Sequence, residues 1–431
     1  MTKKILIIII CLFSVLTLTK IATSEIDKKD TLPDDLYSQI ELFSYALTTV
    51  QAAYTEEPSA KELIYGSLKG MLSSLDPHSQ FLTPEDFKDL KTETEGKFGG
   101  LGIEISIRDN LLTVITPLEG TPAWKAGVKA KDKIVKIDTE STKDITLSEA
   151  VKKLRGSPGT KIDITIFRES EGKILDFTIT RELIHIQDVK DVMILDDTIG
   201  YIRLTEFRED SYKEFKKALN TLKSKNADSL ILDLRNNPGG LLNVAIDITE
   251  EFLPEGQIIV ITKSRNPSQN SVEKSKNSNG EFINWPIAVL INEGSASASE
   301  ILAGALKDNK RGVIIGTQSF GKGSVQSVIP LPDGAGLKLT TSKYFTPSDI
   351  SIHGIGITPD IIVEYESINV SKNDESEDAA KKIFDDVENG DKELDVNAIK
   401  DQKAKKRLLA DDQVKSAISV LKGIKVYRKE L

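Results

Sequence analysis

Ile287-Ala288-Val289-Leu290-Ile291 runs through Asn292-Glu293-Gly294-Ser295-Ala296-Ser297 into Ala298-Ser299-Glu300-Ile301-Leu302-Ala303-Gly304-Ala305-Leu306. Five consecutive apolar residues rich in isoleucine and valine read as a strand. Ala298, Ile301, Leu302, Ala305 and Leu306 then recur at helical spacing. A loop of small residues joins the two. The segment 183–365 repeats this unit, with strands at 199–204, 230–234, 258–261 and 313–315 and helices at 212–225 and 241–252. Such alternation implies a mainly parallel sheet covered by helices, followed here by a hairpin turn at Pro332-Asp333-Gly334.

The texture differs on either side. Residues 98–182 carry short β runs at 102–107, 111–115, 133–137, 161–169 and 175–181, with helical stretches at 122–126 and 147–154. They read as one compact module. Upstream, Leu36, Ile40, Phe43, Leu47 and Val50 mark a helix, a second falls near 61–75, and Asp76-Pro77-His78 breaks the pattern. Beyond Glu364 the chain turns acidic and lysine-rich. Residues 374–395 read as a solvated connector, and Val414, Ala417, Ile418 and Leu421 mark a last amphipathic helix. The expected division is 1–24 signal, 25–97 helical region, 98–182 module, 183–365 core and 366–431 charged helical tail.

Lys3-Lys4, an apolar run from Ile5 to Leu18 and the small residues Ala22-Thr23-Ser24 describe a secretory signal. The run is shorter than the roughly 20 residues that span a bilayer, so cleavage is expected rather than a retained membrane anchor. Cleavage would remove Lys3, Lys4 and Lys20, leaving 54 of the 57 bases against 66 acids. That balance argues against general nucleic-acid binding, which needs a basic stripe. It would also remove Cys11, the only cysteine, and with it any thiol nucleophile or disulfide. The expected location is a bacterial periplasm or cell envelope.

Three glycine-containing loops fall at the ends of expected strands, where α/β sheets place their chemistry. Gly294-Ser295-Ala296-Ser297-Ala298-Ser299-Glu300 puts serine at a helix start, where backbone N–H groups lack partners. Plain N-capping by Ser295 or Ser297 is the alternative. Ser319-Phe320-Gly321-Lys322-Gly323-Ser324 sets a lysine between two glycines, as a crowded site would. Burial can lower a lysine pKa from about 10.4 towards neutrality, making the amine a base able to activate serine. Gln326, four residues on and read as the same strand face, could orient that amine. A phosphate-cradling role for Gly321-Lys322-Gly323 lacks the P-loop spacing and a following helix. Arg235-Asn236-Asn237-Pro238-Gly239-Gly240 offers backbone donors suited to an oxyanion hole; a turn with a cap fits it as well. His78, His185 and His353 sit in unrelated contexts, and no HExxH or similar ligand cluster is present. Metal, thiol and Ser-His-Asp mechanisms therefore fit poorly, no cofactor is expected, and a Ser–Lys mechanism remains.

Taken together, Gly294–Glu300, Phe320-Gly321-Lys322-Gly323-Ser324-Val325-Gln326, Leu232-Asp233-Leu234-Arg235-Asn236-Asn237-Pro238-Gly239-Gly240, Leu75-Asp76-Pro77-His78-Ser79 and Gly356-Ile357-Thr358-Pro359-Asp360 resemble the carboxy-terminal processing (tail-specific) proteases, from about residue 35 onward. The resemblance implies a crotonase-like α/β core, Ser297 as nucleophile, Lys322 as general base and Gln326 as its positioning partner. It implies N–H groups of Ala298 and Gly239 at the oxyanion, with Gly240 the other candidate.

In the module, successive N–H groups of Phe98-Gly99-Gly100-Leu101-Gly102-Ile103 could form a nest for a carboxylate, and a Gly-rich hairpin fits the same residues. The strand–helix order and Gly120-Thr121-Pro122-Ala123-Trp124-Lys125-Ala126-Gly127 resemble a PDZ domain inserted before the core. The resemblance implies an apolar, free polypeptide C-terminus as ligand, held by Gly100, Leu101, Gly102 and Ile103, with 147–154 as the other groove wall. A catalytically silent peptide-binding scaffold of the same fold is the competing reading. An acyl-thioester enzyme is a second, set against by the export signal. The terminal helices are candidates for self-association, as in relatives, or for a purely intramolecular role; whether an adaptor delivers substrates is left open.

Overall fold

The structure, a computed structural model, describes residues 34–118, 120–278, 280–364 and 396–429. The signal-like segment and the connector at 374–395 lie outside the described residues. The described residues form two units, divided between Leu75 and Asp76. In the first, helices Asp34–Ala53 and Ala60–Ser73 realise the expected helical periodicity, the second capped by Ser59 accepting from the Glu62 N–H.

The larger unit is built on a six-stranded sheet. Its order is Val189–Asp196, Ile199–Leu204, Ser229–Asp233, Ile287–Ile291, Val313–Gly316 and Ile361–Ile362. The first pair is antiparallel and every later one parallel. Ser229–Asp233 and Ile287–Ile291 are buried at every position, which is why the second reads as an unbroken apolar run and the first is apolar between its two end residues. Alternate side chains feed two separate cores. Leu230, Leu232, Ile287, Val289 and Ile314 pack under helices Ser211–Ser224, Leu242–Glu250 and Ala298–Asp308. Ile231, Ala288, Leu290 and Ile315 meet Leu408, Val414, Ala417 and Leu421 from the C-terminal helices Val396–Ala410 and Asp412–Lys429.

Strand Ile258–Ser264 departs from the sequence expectation. It leaves the parallel sheet and joins an antiparallel one with Gln80–Leu82, Gly336–Phe345, Ser271–Lys274 and Ser324–Pro330. Its mixed burial, against full burial in the central strands, marks a half-covered surface. Val189–Asp196, interrupted by two register shifts, and the short Gln80–Leu82 carry too little pattern to be read from sequence. The hairpin at Pro332–Gly334 closes as expected, with Leu331 N–H donating to Ala335 O at 2.8 Å.

The inserted module enters and leaves through one antiparallel pair, Lys97–Gly100 with Glu182–His185. Its own sheet runs Ile103–Arg108, Leu111–Pro117, Lys133–Ile137, Lys161–Arg168, Lys173–Thr180, with Glu140–Ser141 on Lys133–Ile137. Thr146 and Glu149 close a capping box at the start of helix Leu147–Leu154.

Leu421 is fully buried against the sheet. Leu421→Ala is expected to cost about 2–5 kcal/mol, read as a lower urea midpoint at unchanged m-value. An unchanged midpoint would mean that the C-terminal helix does not seal that face.

Candidate active site

The three loops singled out in the sequence leave the C-terminal ends of neighbouring parallel strands, so the sheet order itself brings them together. They are knitted by hydrogen bonds. Ser295 Oγ donates to Leu234 O at 2.8 Å, Ala296 N–H to Asn237 O at 3.0 Å and Ser299 Oγ to Asn237 O at 2.9 Å. Asn292 and Asn236 bond reciprocally, at 2.8 and 3.0 Å. Phe320 N–H reaches Ser295 O at 3.0 Å. Ser295 therefore ties two loops together rather than capping the helix.

Ser297 has φ 55° and ψ −111°, a conformation costly for a residue with a side chain. It sits on a sharp strand-to-helix turn, half-buried. Glu300, one turn into the helix and 1% exposed, holds that turn. Its Oε2 accepts the N–H of Ser297 at 2.8 Å and the N–H of Lys322 at 2.9 Å. Its Oε1 accepts Ser319 Oγ and the Gly321 N–H, both at 2.6 Å. The backbone nitrogens of Ser297 and Lys322 are thus no farther apart than two hydrogen bonds laid end to end. The sequence reading quoted Glu300 in its motif and gave it no role. Its position three residues after a serine at a helix start, the capping-box spacing, was the available signal.

Lys322 is half-buried. Loss of hydration holds its ammonium below the ordinary lysine range, nearby Lys338 adds repulsion, and the Glu300 carboxylate opposes both. The flanking glycines are required. Gly321 has φ 89°, and a Cβ on Gly323 would lie 2.3 Å from His353 N. His353 itself is exposed and meets Gly323 through its backbone. The strand-face argument for Gln326 does not hold as made: Lys322 precedes strand Ser324–Pro330, and the register shifts between Val325 and Gln326. Gln326 Nε2 is buried without an acceptor, and among the described residues no hydrogen bond joins Lys322 Nζ to Ser297 Oγ or to Gln326.

Gly239 lies against the serine turn. A Cβ there would meet Ala296 O at 2.7 Å, Ser297 Cβ at 2.8 Å and Ala298 N at 2.9 Å, whereas Gly240 packs on Phe207 O. The Gly239 N–H donates to Asn237 Oδ1 at 2.9 Å, while the Ala298 N–H, at the first position of its helix, has no such partner among the described residues.

In the inserted module, Phe98, Gly99 and Gly100 are strand residues paired with Ile184, Leu183 and Glu182, so the expected nest contracts to Leu101 and Gly102, the latter at φ 72°. Strand Ile103–Arg108 pairs on one edge only within its sheet, with Leu111–Pro117. Helix Leu147–Leu154 contacts this strand, and Leu147 at its start is 41% exposed. Among the described residues no group of three or more His, Cys, Asp or Glu could hold a metal ion.

The model for peptidase family S41 matches residues 198–363, and that for the PDZ domain matches residues 113–168. The carboxy-terminal-processing protease of Bartonella bacilliformis is 47% identical over 76% of this chain and 76% of its own length. The carboxyl-terminal-processing protease of Synechocystis sp. is 42% identical over 72% of this chain and 74% of its own. Among solved structures, a photosystem II D1 C-terminal processing protease aligns with 75% of this chain and 92% of its own at 30% identity and a TM-score of 0.43. The fold and loops thus define a serine-type peptidase carrying a PDZ domain. The chain belongs to the carboxy-terminal processing protease family, within peptidase family S41.

Glu300→Gln would turn one accepting oxygen into an NH₂ facing two donors, at a cost of about 1–3 kcal/mol. Urea denaturation should show that loss, against no change for the exposed Glu255→Gln. Equal midpoints would show that the carboxylate does not hold the loops.

Proposed function

We propose that this protein is an exported serine endopeptidase that cuts polypeptides selected by their C-terminal tails. Ser297 is the nucleophile, Lys322 the general base and Gln326 the partner that orients the amine. The observation that carries this reading is the convergence of the Ser297 and Lys322 N–H groups on one buried oxygen of Glu300. Two sequence-distant residues of suitable chemistry are thereby held side by side, one on a strained turn and the other with a weakened hold on its proton.

In the reaction the neutral amine of Lys322 takes the proton of Ser297 Oγ as the oxygen attacks the scissile carbonyl. The Ala298 N–H is free to receive the oxyanion. The Gly239 N–H joins it by sharing or releasing Asn237 Oδ1. The amine and hydroxyl meet as substrate enters, since catalytic hydrogen bonds often tighten only in the complex.

The PDZ domain grips the free end of the substrate. The unpaired edge of Ile103–Arg108 adds the peptide as a strand, and the turn at Leu101 and Gly102, just after the paired Gly100, receives its carboxylate. Ile103 and Leu147 supply apolar walls. Export rests on the basic–apolar N-terminus and the loss of the lone cysteine with it. Among the described residues no helix is long and apolar enough to cross a membrane. The partners are therefore polypeptides of a bacterial envelope, and the terminal helices are offered as a self-association surface.

Ser297→Ala and Lys322→Ala should each lower cleavage of an unfolded protein by about 10³-fold or more, and Lys322→Arg should not restore it because guanidinium does not deprotonate. Cleavage surviving these changes would favour a contaminating activity and a silent scaffold. Activity should climb with pH as Lys322 loses its proton, with a midpoint below the ordinary lysine value of 10.5. A profile flat from neutrality to that value would remove Lys322 as base. Replacing the apolar last residue of a substrate with aspartate should lower kcat/KM at least about tenfold, and no change would refute tail selection.

A further inference from the structure

Arg235 opens the loop that carries Gly239, and its side chain is only 11% exposed. One edge of the guanidinium faces Asp233: Nε is 2.9 and 3.1 Å from the two carboxylate oxygens, and Nη2 is 2.6 Å from Oδ2. Asp233 Oδ1 also accepts the backbone N–H of Arg235 at 2.9 Å, and Oδ2 accepts Tyr201 OH at 2.6 Å. The other edge belongs to a distant part of the chain. Nη1 donates to Asp411 Oδ2 at 2.7 Å and to Gln413 Oε1 at 2.9 Å.

Asp411 has two tasks, divided between its oxygens. Oδ1 caps helix Asp412–Lys429 by accepting the N–H groups of Gln413 at 2.9 Å and Val414 at 3.1 Å. Oδ2 binds Arg235. Gln413, 1% exposed, also donates from Nε2 to Val363 O at 2.7 Å. The helix behind them is seated by Val414, Ala417 and Leu421, all fully buried on the sheet.

The loop beyond Arg235 needs such an anchor. Gly239 at φ 103° and Gly240 at φ 145° have the conformational freedom of glycine, which folding must remove, and Asn236 at φ 58° is left-handed. Its far end is held where Phe207 N–H donates to Gly239 O at 3.0 Å and Leu241 N–H to Phe207 O at 2.7 Å. Its near end is held against the serine loop by the Asn236–Asn292 bonds and, one residue earlier, against the C-terminal helix by the guanidinium, whose fixed fork constrains direction as well as distance.

We propose that Asp411 is a positioning residue for catalysis, acting through Arg235 to set the 236–240 loop against Ser297. This rests on the reading of that loop as part of the oxyanion hole. The C-terminal helix thereby contributes to turnover as well as to the core. Asparagine at 411 caps a helix as well as aspartate does but removes the charge that faces the guanidinium, so it separates the two tasks.

The test uses the full chain and a fluorogenic peptide with a free apolar C-terminus. Assayed well below its Tm, Asp411→Asn should lower kcat about tenfold with KM unchanged; its Tm should fall as well, because the amide NH₂ faces Nη1. Arg235→Lys, which keeps the charge and loses the fork, should lower kcat at least as far, and the double variant should be no worse than Arg235→Lys alone. An unchanged kcat for Asp411→Asn, a loss carried by KM, a loss that disappears when the assay temperature is lowered further below Tm, or additive losses in the double variant would each overturn the proposal. Ser297→Ala is measured alongside. If it still turns over, the active-site reading itself fails, whereas an inactive Ser297→Ala beside a fully active Asp411→Asn removes only the role of Asp411.

Discussion

A carboxylate that has left water must find its partners inside the protein, and Glu300 finds four. Three are backbone N–H groups, of Ser297, Gly321 and Lys322, and the fourth is the hydroxyl of Ser319. Burying an ionised carboxylate costs several kcal/mol unless donors replace its hydration, so the loops that supply them cannot drift apart cheaply. Its place in the first turn of Ala298–Asp308 adds the favourable field of a helix N-terminus. Local backbone strain at Ser297 and the glycine conformation at Gly321 are thus stabilised by one group.

Around this carboxylate the architecture is a matter of matched surfaces. The central strands are apolar on both sides and need two covers. One comes from the helices alternating with them, and the other from a C-terminal pair remote in sequence. Within the sheet Ser229 and Asp233 find hydrogen-bond partners, whereas Arg203 Nε is buried without one. Asp233 and Tyr201 sit at its centre, both almost fully buried, and meet each other and Arg235. Burial and the neighbouring carboxylate push the Tyr201 phenol far above its ordinary range, so it acts as a permanent donor.

The attachment of the PDZ domain follows the same logic. The chain returning through Glu182–His185 reaches Asp188, 2% exposed, which bonds Ser211 Oγ at 2.6 Å and pairs with Arg208. Desolvation raises its carboxyl and that of Glu206, which also pairs with Arg208. Arg208 follows Phe207, the residue bonded to Gly239 and Leu241. The attachment of the PDZ domain and the loop carrying Gly239 are therefore neighbours along one stretch of backbone.

Much of this was written locally. Ile287–Ile291 and Val313–Gly316 announce themselves because strands covered on both faces are unbroken apolar runs, and helix Leu147–Leu154 does so through its cap and period. The three loops stood out only as a set, because a serine at a helix start or a glycine turn taken singly is as readily a plain cap. What tertiary structure decided was every relation depending on which distant groups meet. It moved Ile258–Ser264 into a second sheet, turned Gln326 by a bulge, and reduced the expected glycine nest to Leu101 and Gly102. It also gave Glu300 its four donors and joined Asp411 to Arg235 across 176 positions of chain. Periodicity and turn chemistry report a residue's nearest neighbours along the chain. The pairing of buried charges is set only when folding excludes water and leaves each one no partners but those the fold brings within reach.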